Sequence, residues 1–288
     1  MKSFALLVLG LFLSLRIQAE EIRRSEVIYG RKFGTALTLD VLQPPKTNGL
    51  AVVWVVSGGF YSDHGAINPA YCKALLDRGY TVFAVVHGSQ PRFTILEIAE
   101  DIHRSIRWIR HHAADYGIRP DRIGITGSSA GGHLSLTLGT QGRDGDPAAK
   151  DPVDRESSRV QAVACFFPPT DFANWSAPGD TQVGVGKVGR QFHGAFGSRS
   201  DVLETRIPYG REISPIHYVT REMAPTLVIH GEADGLVPIY QAEIFQKKCA
   251  EVGATYKLVR LPGKDHGWPG MEKDLAQFAD WYDEQLRR

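Results

Sequence analysis

The chain has 288 residues, 43% of them hydrophobic and 23% charged, with 33 basic against 32 acidic side chains. That is enough apolar material for a single α/β domain of about 250 residues, and so even a charge balance leaves no electrostatic footprint for nucleic acid. Three dispersed cysteines, Cys72, Cys165 and Cys249, permit one disulfide at most and read as small buried hydrophobes. No Cys-x-x-Cys, His-Glu-x-x-His or EF-hand pattern occurs, so no metal or other cofactor is expected.

Taken in order, the chain opens with Lys2, an apolar run over 4–15 and Ala19, the pattern of a secretory signal peptide ending at residue 19. It predicts a secreted or periplasmic mature chain with no stable membrane association. An uncleaved anchor is the alternative, which Arg16 opposes by interrupting the segment. Loss of Lys2 and Arg16 leaves 31 basic against 32 acidic residues.

Residues 26–31 and 35–43 alternate as a β-hairpin does and stop at Pro44-Pro45. The almost wholly apolar 50–56 reads as a strand buried on both faces, ending in Ser57-Gly58-Gly59-Phe60-Tyr61. A helix over 71–78, closed by Gly79, leads to a second buried strand over 80–86. Ile98, Ile102, Ile106 and Ile109 then form the apolar stripe of a helix spanning 96–116. Strands are expected again at 122–126, 160–167, 226–230 and 256–261, with helices starting at 132, over 239–251 and over 272–286. This alternation implies βαβ units and a mostly parallel sheet, so 20–288 reads as one domain. Only 177–212 breaks the pattern: its seven glycines and scattered aromatics sustain no period, and it is expected to be an irregular lid or pocket wall.

The chemistry centres on Gly127-Ser128-Ser129-Ala130-Gly131, set between a strand and a helix. A turn this sharp holds its central serine in strained backbone geometry with the hydroxyl exposed, and the flanking glycines remove the Cβ atoms that would collide. Ser129 is therefore the expected nucleophile. A serine hydroxyl needs a base, and the base a carboxylate to orient it. His266, in the loop between the last strand and the last helix, is the expected base. Asp234, beyond the 226–230 strand, is the expected acid; Asp171 and then Glu232 are the runners-up, and Asp265 reads as a residue that shapes its loop. His133, four residues after Ser129, is expected to pack beneath the elbow. Oxyanion donors are expected from the amide of Ala130 and from the turn at Gly58, Gly59 and Phe60. Tyr61, Trp175, Phe192 and Trp268 are candidate pocket aromatics.

Residues 53–61, the Gly-Ser-Ser-Ala-Gly-Gly-His run within 121–134, and 229–238 together resemble the α/β-hydrolase esterases related to hormone-sensitive lipase. The likeness is greatest to the feruloyl-esterase-like and acetyl-esterase-like branch. The resemblance implies an α/β-hydrolase fold and a secreted carboxylic-ester hydrolase with Ser129, Asp234 and His266 as triad. Its partner would be a small-molecule or saccharide ester. Two segments depart from the family pattern. The His-Gly-Gly-Gly turn is here Ser57-Gly58-Gly59-Phe60, which adds bulk beside the acyl site, and the Tyr-Arg-Leu segment is here Val86-His87-Gly88-Ser89-Gln90-Pro91. A serine peptidase acting on short peptides, or a binding protein without catalysis, would use the same fold. The length suited to one domain weighs against the first, and the intact triad against the second.

Overall fold

The computed structural model describes residues 22–287, so the expected leader at 1–19 lies outside the described residues. One sheet organises them. It contains β1 (Ile22–Lys32), β2 (Thr35–Gln43), β3 (Ala51–Val56), β4 (Thr81–Val86), β5 (Ile123–Ser128), β6 (Ala162–Phe166), β7 (Thr226–Gly231) and β8 (Tyr256–Leu261), in the order β1-β2-β4-β3-β5-β6-β7-β8. The hairpin β1–β2 is antiparallel and β2 meets β4 antiparallel; every pairing from β4 through β8 is parallel.

Inner strands are apolar on consecutive residues because both faces are covered. Val53, Val55, Ile125, Val163 and Cys165 face a core under α2 (Ile95–His111), α3 (Ala130–Gln141) and α7 (Tyr240–Val252). Their neighbours Val52, Ala162, Ala164 and Ile229 face a second core under α1 (Lys73–Leu76) and α8 (Leu275–Leu286). The expected helix over 96–116 stops at His111; a separate 3₁₀ turn, Ala113–Tyr116, follows and ends on left-handed Gly117. Cys72, Cys165 and Cys249 are all buried thiols, as their reading as small hydrophobes required. The architecture is the α/β-hydrolase fold.

The stretch 177–212 is not irregular, contrary to its expected character. It carries α4 (Gly186–Gln191), α5 (His193–Phe196) and α6 (Leu203–Glu212). Two of these are six and four residues long, too short for a 3.6-residue period to register. Tertiary contact sustains them, since isolated helices of this length are marginal in water. Val183, Phe196 and Tyr209 are buried in the core beneath α2 and α3. Gly189 sits so close to the chain that an added Cβ would collide with the carbonyl oxygen of Gln182.

Candidate active site

The strand order reverses between β3 and β5, and a crevice opens beyond the carboxyl ends of the strands at such a switch point. The loops after β3, β5, β7 and β8 carry the residues singled out from sequence. Ser129 follows β5 with φ 53° and ψ −119°, a conformation that costs a non-glycine residue of order 1–3 kcal/mol unless its surroundings impose it. They do. The Ser129 amide donates to the Phe166 carbonyl at 3.1 Å, and the backbone crosses itself so closely that a Cβ on Gly127 would collide with the carbonyl group of Gly131.

Three side chains meet there. The Ser129 hydroxyl donates to His266 Nε2 across 2.9 Å, and His266 Nδ1–H donates to Asp234 Oδ2 across 2.8 Å. The other carboxylate oxygen, Asp234 Oδ1, accepts the amides of Leu236 and Val237 at 2.9 and 2.8 Å. Burial alone would push the Asp234 carboxyl up, but hydrogen bonds from His230 and His266, the charge of His266 and the Val237 amide together hold it well below the usual carboxylate range. It is therefore ionised at neutral pH. Asp265 Oδ1 accepts the amides of Gly235 and His266 at 2.9 and 2.7 Å, tying the β7 loop to the β8 loop. The runners-up are spent elsewhere: Asp171 accepts from Ala173 and Asn174, and Glu232 pairs with Arg260 at 2.8 Å.

The turn after β3 refines the expected set of oxyanion donors. The Gly58 amide donates to the Tyr61 carbonyl at 3.0 Å, so Gly58 is not available as a donor, and the expectation for it is corrected. The Tyr61 amide returns to the Gly58 carbonyl at 2.9 Å, closing a four-residue turn whose central residues both have positive φ, Gly59 at 55° and Phe60 at 65°. No protein acceptor among the described residues takes the amides of Gly59, Phe60 or Ala130. Ala130 opens α3, where an amide has no intrahelical partner.

The four candidate pocket aromatics divide. Tyr61 is half exposed beside the turn. The Phe192 ring lies directly on Gly59, where an added Cβ would collide with it. Trp175 is buried and stacked on Phe172 at 5.7 Å, and so belongs to the core. Trp268 donates its indole N–H to Asp274 at 2.8 Å and sets its ring edge-on to Phe166 and Phe167, a packing role. His133 is fully buried, as expected, and lies edge-on to Phe60 and Phe172.

Sequence reasoning missed two residues around the triad side chains Asp234 and His266. Phe167, at φ 33°, places its ring 4.4 Å from that of His266. His230 is completely buried; its Nε2–H donates to the Val237 carbonyl at 2.8 Å and lies 3.4 Å from Asp234 Oδ2. The spacing of four between His230 and Asp234 is visible in the sequence, but it carries meaning only once the loop folds back over the end of β7.

Comparison with known proteins adds the following. The BD-FAE family model matches residues 39–249. Esterase LipQ of Mycobacterium tuberculosis is 30% identical over 216 residues, 74% of this chain and 49% of that protein. The carboxylic ester hydrolase LipM of the same organism, whose assignment is qualified as probable, is 27% identical over 83% of this chain and 54% of its own length. The chain thus spans about half the length of these curated relatives. Among solved structures, a truncated carbohydrate esterase from gut microbiota superposes with a TM-score of 0.79 at 24% identity, covering 94% of this chain and 99% of that one. An acetyl ester-xyloside bifunctional hydrolase from Caldicellulosiruptor lactoaceticus superposes at 0.72 with 22% identity, covering 94% and 98%. Both share the fold. With its family model matched from β2 through most of α7, the chain belongs to the BD-FAE family of α/β-hydrolases.

Proposed function

We propose that this protein is a serine carboxylic-ester hydrolase working through an acyl-enzyme, on short-chain or carbohydrate-linked esters such as acetyl or feruloyl esters. One observation carries the reading: the continuous relay from Ser129 Oγ to His266 to Asp234, with hydrogen bonds of 2.9 and 2.8 Å. His266 takes the Ser129 proton as the oxygen attacks the ester carbonyl, then returns it to the leaving alcohol; water enters by the same route to release the acid. Asp234, ionised and buried, fixes the tautomer with Nε2 as acceptor and stabilises the imidazolium. The free amides of Gly59, Phe60 and Ala130 serve the oxyanion.

The names of the relatives agree with this chemistry: LipQ is an esterase, and the two solved neighbours are a carbohydrate esterase and an acetyl ester-xyloside hydrolase. The test is the initial rate on p-nitrophenyl acetate, butyrate and octanoate and on methyl ferulate, for wild type and Ser129→Ala. The variant is expected to fold normally and lose about 10⁴- to 10⁶-fold in kcat. Equal rates for the two folded proteins on every ester would overturn the reading.

A further inference from the structure

The two segments in which the sequence departs from the esterase pattern meet in space. In a planar trans peptide the carbonyl of one residue and the amide of the next point in opposite directions, so fixing the first aims the second. The Gly58 carbonyl is held by the Tyr61 amide, which aims the amide of Gly59. The Gly59 carbonyl, whose orientation aims the amide of Phe60, is held by no backbone group among the described residues; its partner is the side-chain amide of Gln90, with Nε2 donating across 2.5 Å. The backbone amide of Gln90 also donates to the Phe60 carbonyl at 3.2 Å.

Around this contact the same segment grips the turn three more times. The Ser62 amide donates to Ser89 Oγ at 2.8 Å, Ser89 Oγ donates to the Ser62 carbonyl at 3.0 Å, and the His87 amide donates to Ser62 Oγ at 3.2 Å. Gln90 is 5% exposed, and a buried amide keeps its geometry because releasing its partner leaves polar groups unsatisfied. The insertion closes over it from the other side: Phe192 covers Gly59, and Gly194 comes so near that a Cβ there would sit 2.9 Å from Gln90 Oε1.

We infer that Gln90 is a positioning residue for the oxyanion hole, aiming the Phe60 amide by holding the Gly59 carbonyl in a turn that lacks the family's third glycine. Phe60 at φ 65° does not hold this conformation by its own preference, because a bulky residue rarely enters the left-handed region. The segment 87–90 supplies the missing constraint from outside the turn. The inference rests on the ester-hydrolase reading only for what the hole stabilises.

The experiment uses the full folded chain with Gln90→Met, which keeps the side-chain length and removes the donor, and Gln90→Glu, which replaces the donor by an acceptor. Two quantities are read: kcat and KM on p-nitrophenyl acetate, and the rate at which a fluorophosphonate phosphonylates Ser129, followed by intact mass. The expected result is a roughly 10- to 100-fold fall in kcat and in labelling rate for each soluble variant. KM should stay within threefold and the melting temperature within a few degrees. A soluble variant that labels and turns over within twofold of wild type would overturn the inference. So would a loss of kcat matched by an equal rise in KM and a large drop in melting temperature, the mark of a merely structural role. If wild type labels rapidly, the variants label slowly and no ester is hydrolysed by any of them, the functional reading fails while the role of Gln90 stands.

Discussion

The proposed nucleophile elbow and the proposed oxyanion turn each hold a non-glycine residue at positive φ, Ser129 at 53° and Phe60 at 65°, yet they are held by opposite means. The elbow is braced from within and by the neighbouring strand: Gly127 and Gly131 pass in backbone contact, and β6 takes the Ser129 amide. The oxyanion turn has only one internal pair of bonds, between Gly58 and Tyr61; further anchors come from His87, Ser89 and Gln90, about thirty residues further along the chain. A strained residue persists only where its surroundings over-determine it. In one case those surroundings are a short motif, and in the other a contact between two segments that neither specifies alone.

Changes on either side of this comparison differ in size and in kind. The largest short of removing the nucleophile is expected on the relay that serves the elbow. Asp234→Asn should leave the fold intact and lower kcat by about 10⁴-fold, because a neutral amide stabilises neither the tautomer nor the imidazolium. Steady-state rates with a matched urea titration check it, and a fall below tenfold would show that His266 is oriented without the carboxylate.

Next is the elbow's own backbone. Gly127→Ala drives a methyl into the backbone of Gly131, so it should cost roughly 2 to 3 kcal/mol of stability and about 100-fold in kcat through misplacement of the hydroxyl. Loss of stability together with activity marks a self-braced element, whereas the Gln90 variants should lose kcat with stability nearly kept. If Gly127→Ala proves as stable as wild type, the contrast between the two regions collapses.

The last effect is on stability alone and concerns the packing behind the turn. His133 and His87, both buried, have pKa values that burial pushes down to about 4 from an ordinary value near 6.5. Both are therefore neutral in the folded protein at pH 7. In the unfolded chain they take up protons below about pH 6.5, so stability is fully present above that pH and falls as the pH drops toward about 4, on the order of 3 kcal/mol for each histidine. Below about pH 4 the Asp234 carboxyl, held low in the folded state, extends the loss. Urea titrations at pH 7, 5.5 and 4.5 should trace this decline, and His133→Phe should make it less steep while the His87 contribution remains, with Phe60 and Phe172 still packed around the ring. An unchanged slope would mean that His133 is protonated within the fold.

Much of the candidate site was legible without coordinates. Gly127, Ser129 and Gly131 encode a steric requirement within five residues, and steric requirements between near neighbours are written in residue type. Asp234 and His266 were singled out by their places after β7, whose apolar run reflects burial on both faces, and after β8, the edge strand that follows it in the sheet. By contrast, the helices α4 to α6 were not legible: α4 and α5 are too short to show a period, α6 carries Pro208 in its interior, and all three lie where Val183, Phe196 and Tyr209 reach the distant core. Gly58 looked equivalent to Gly59 as a donor until the turn closed and gave its amide to Tyr61. The contacts of Gln90 with Gly59, of Phe167 with His266 and of His230 with Asp234 likewise form only in the folded chain. What the sequence determined by itself was the order of strands and loops and the local stereochemistry at Ser129; which carbonyl is gripped, which amide is left free and which ring backs His266 depended on segments brought together only by folding.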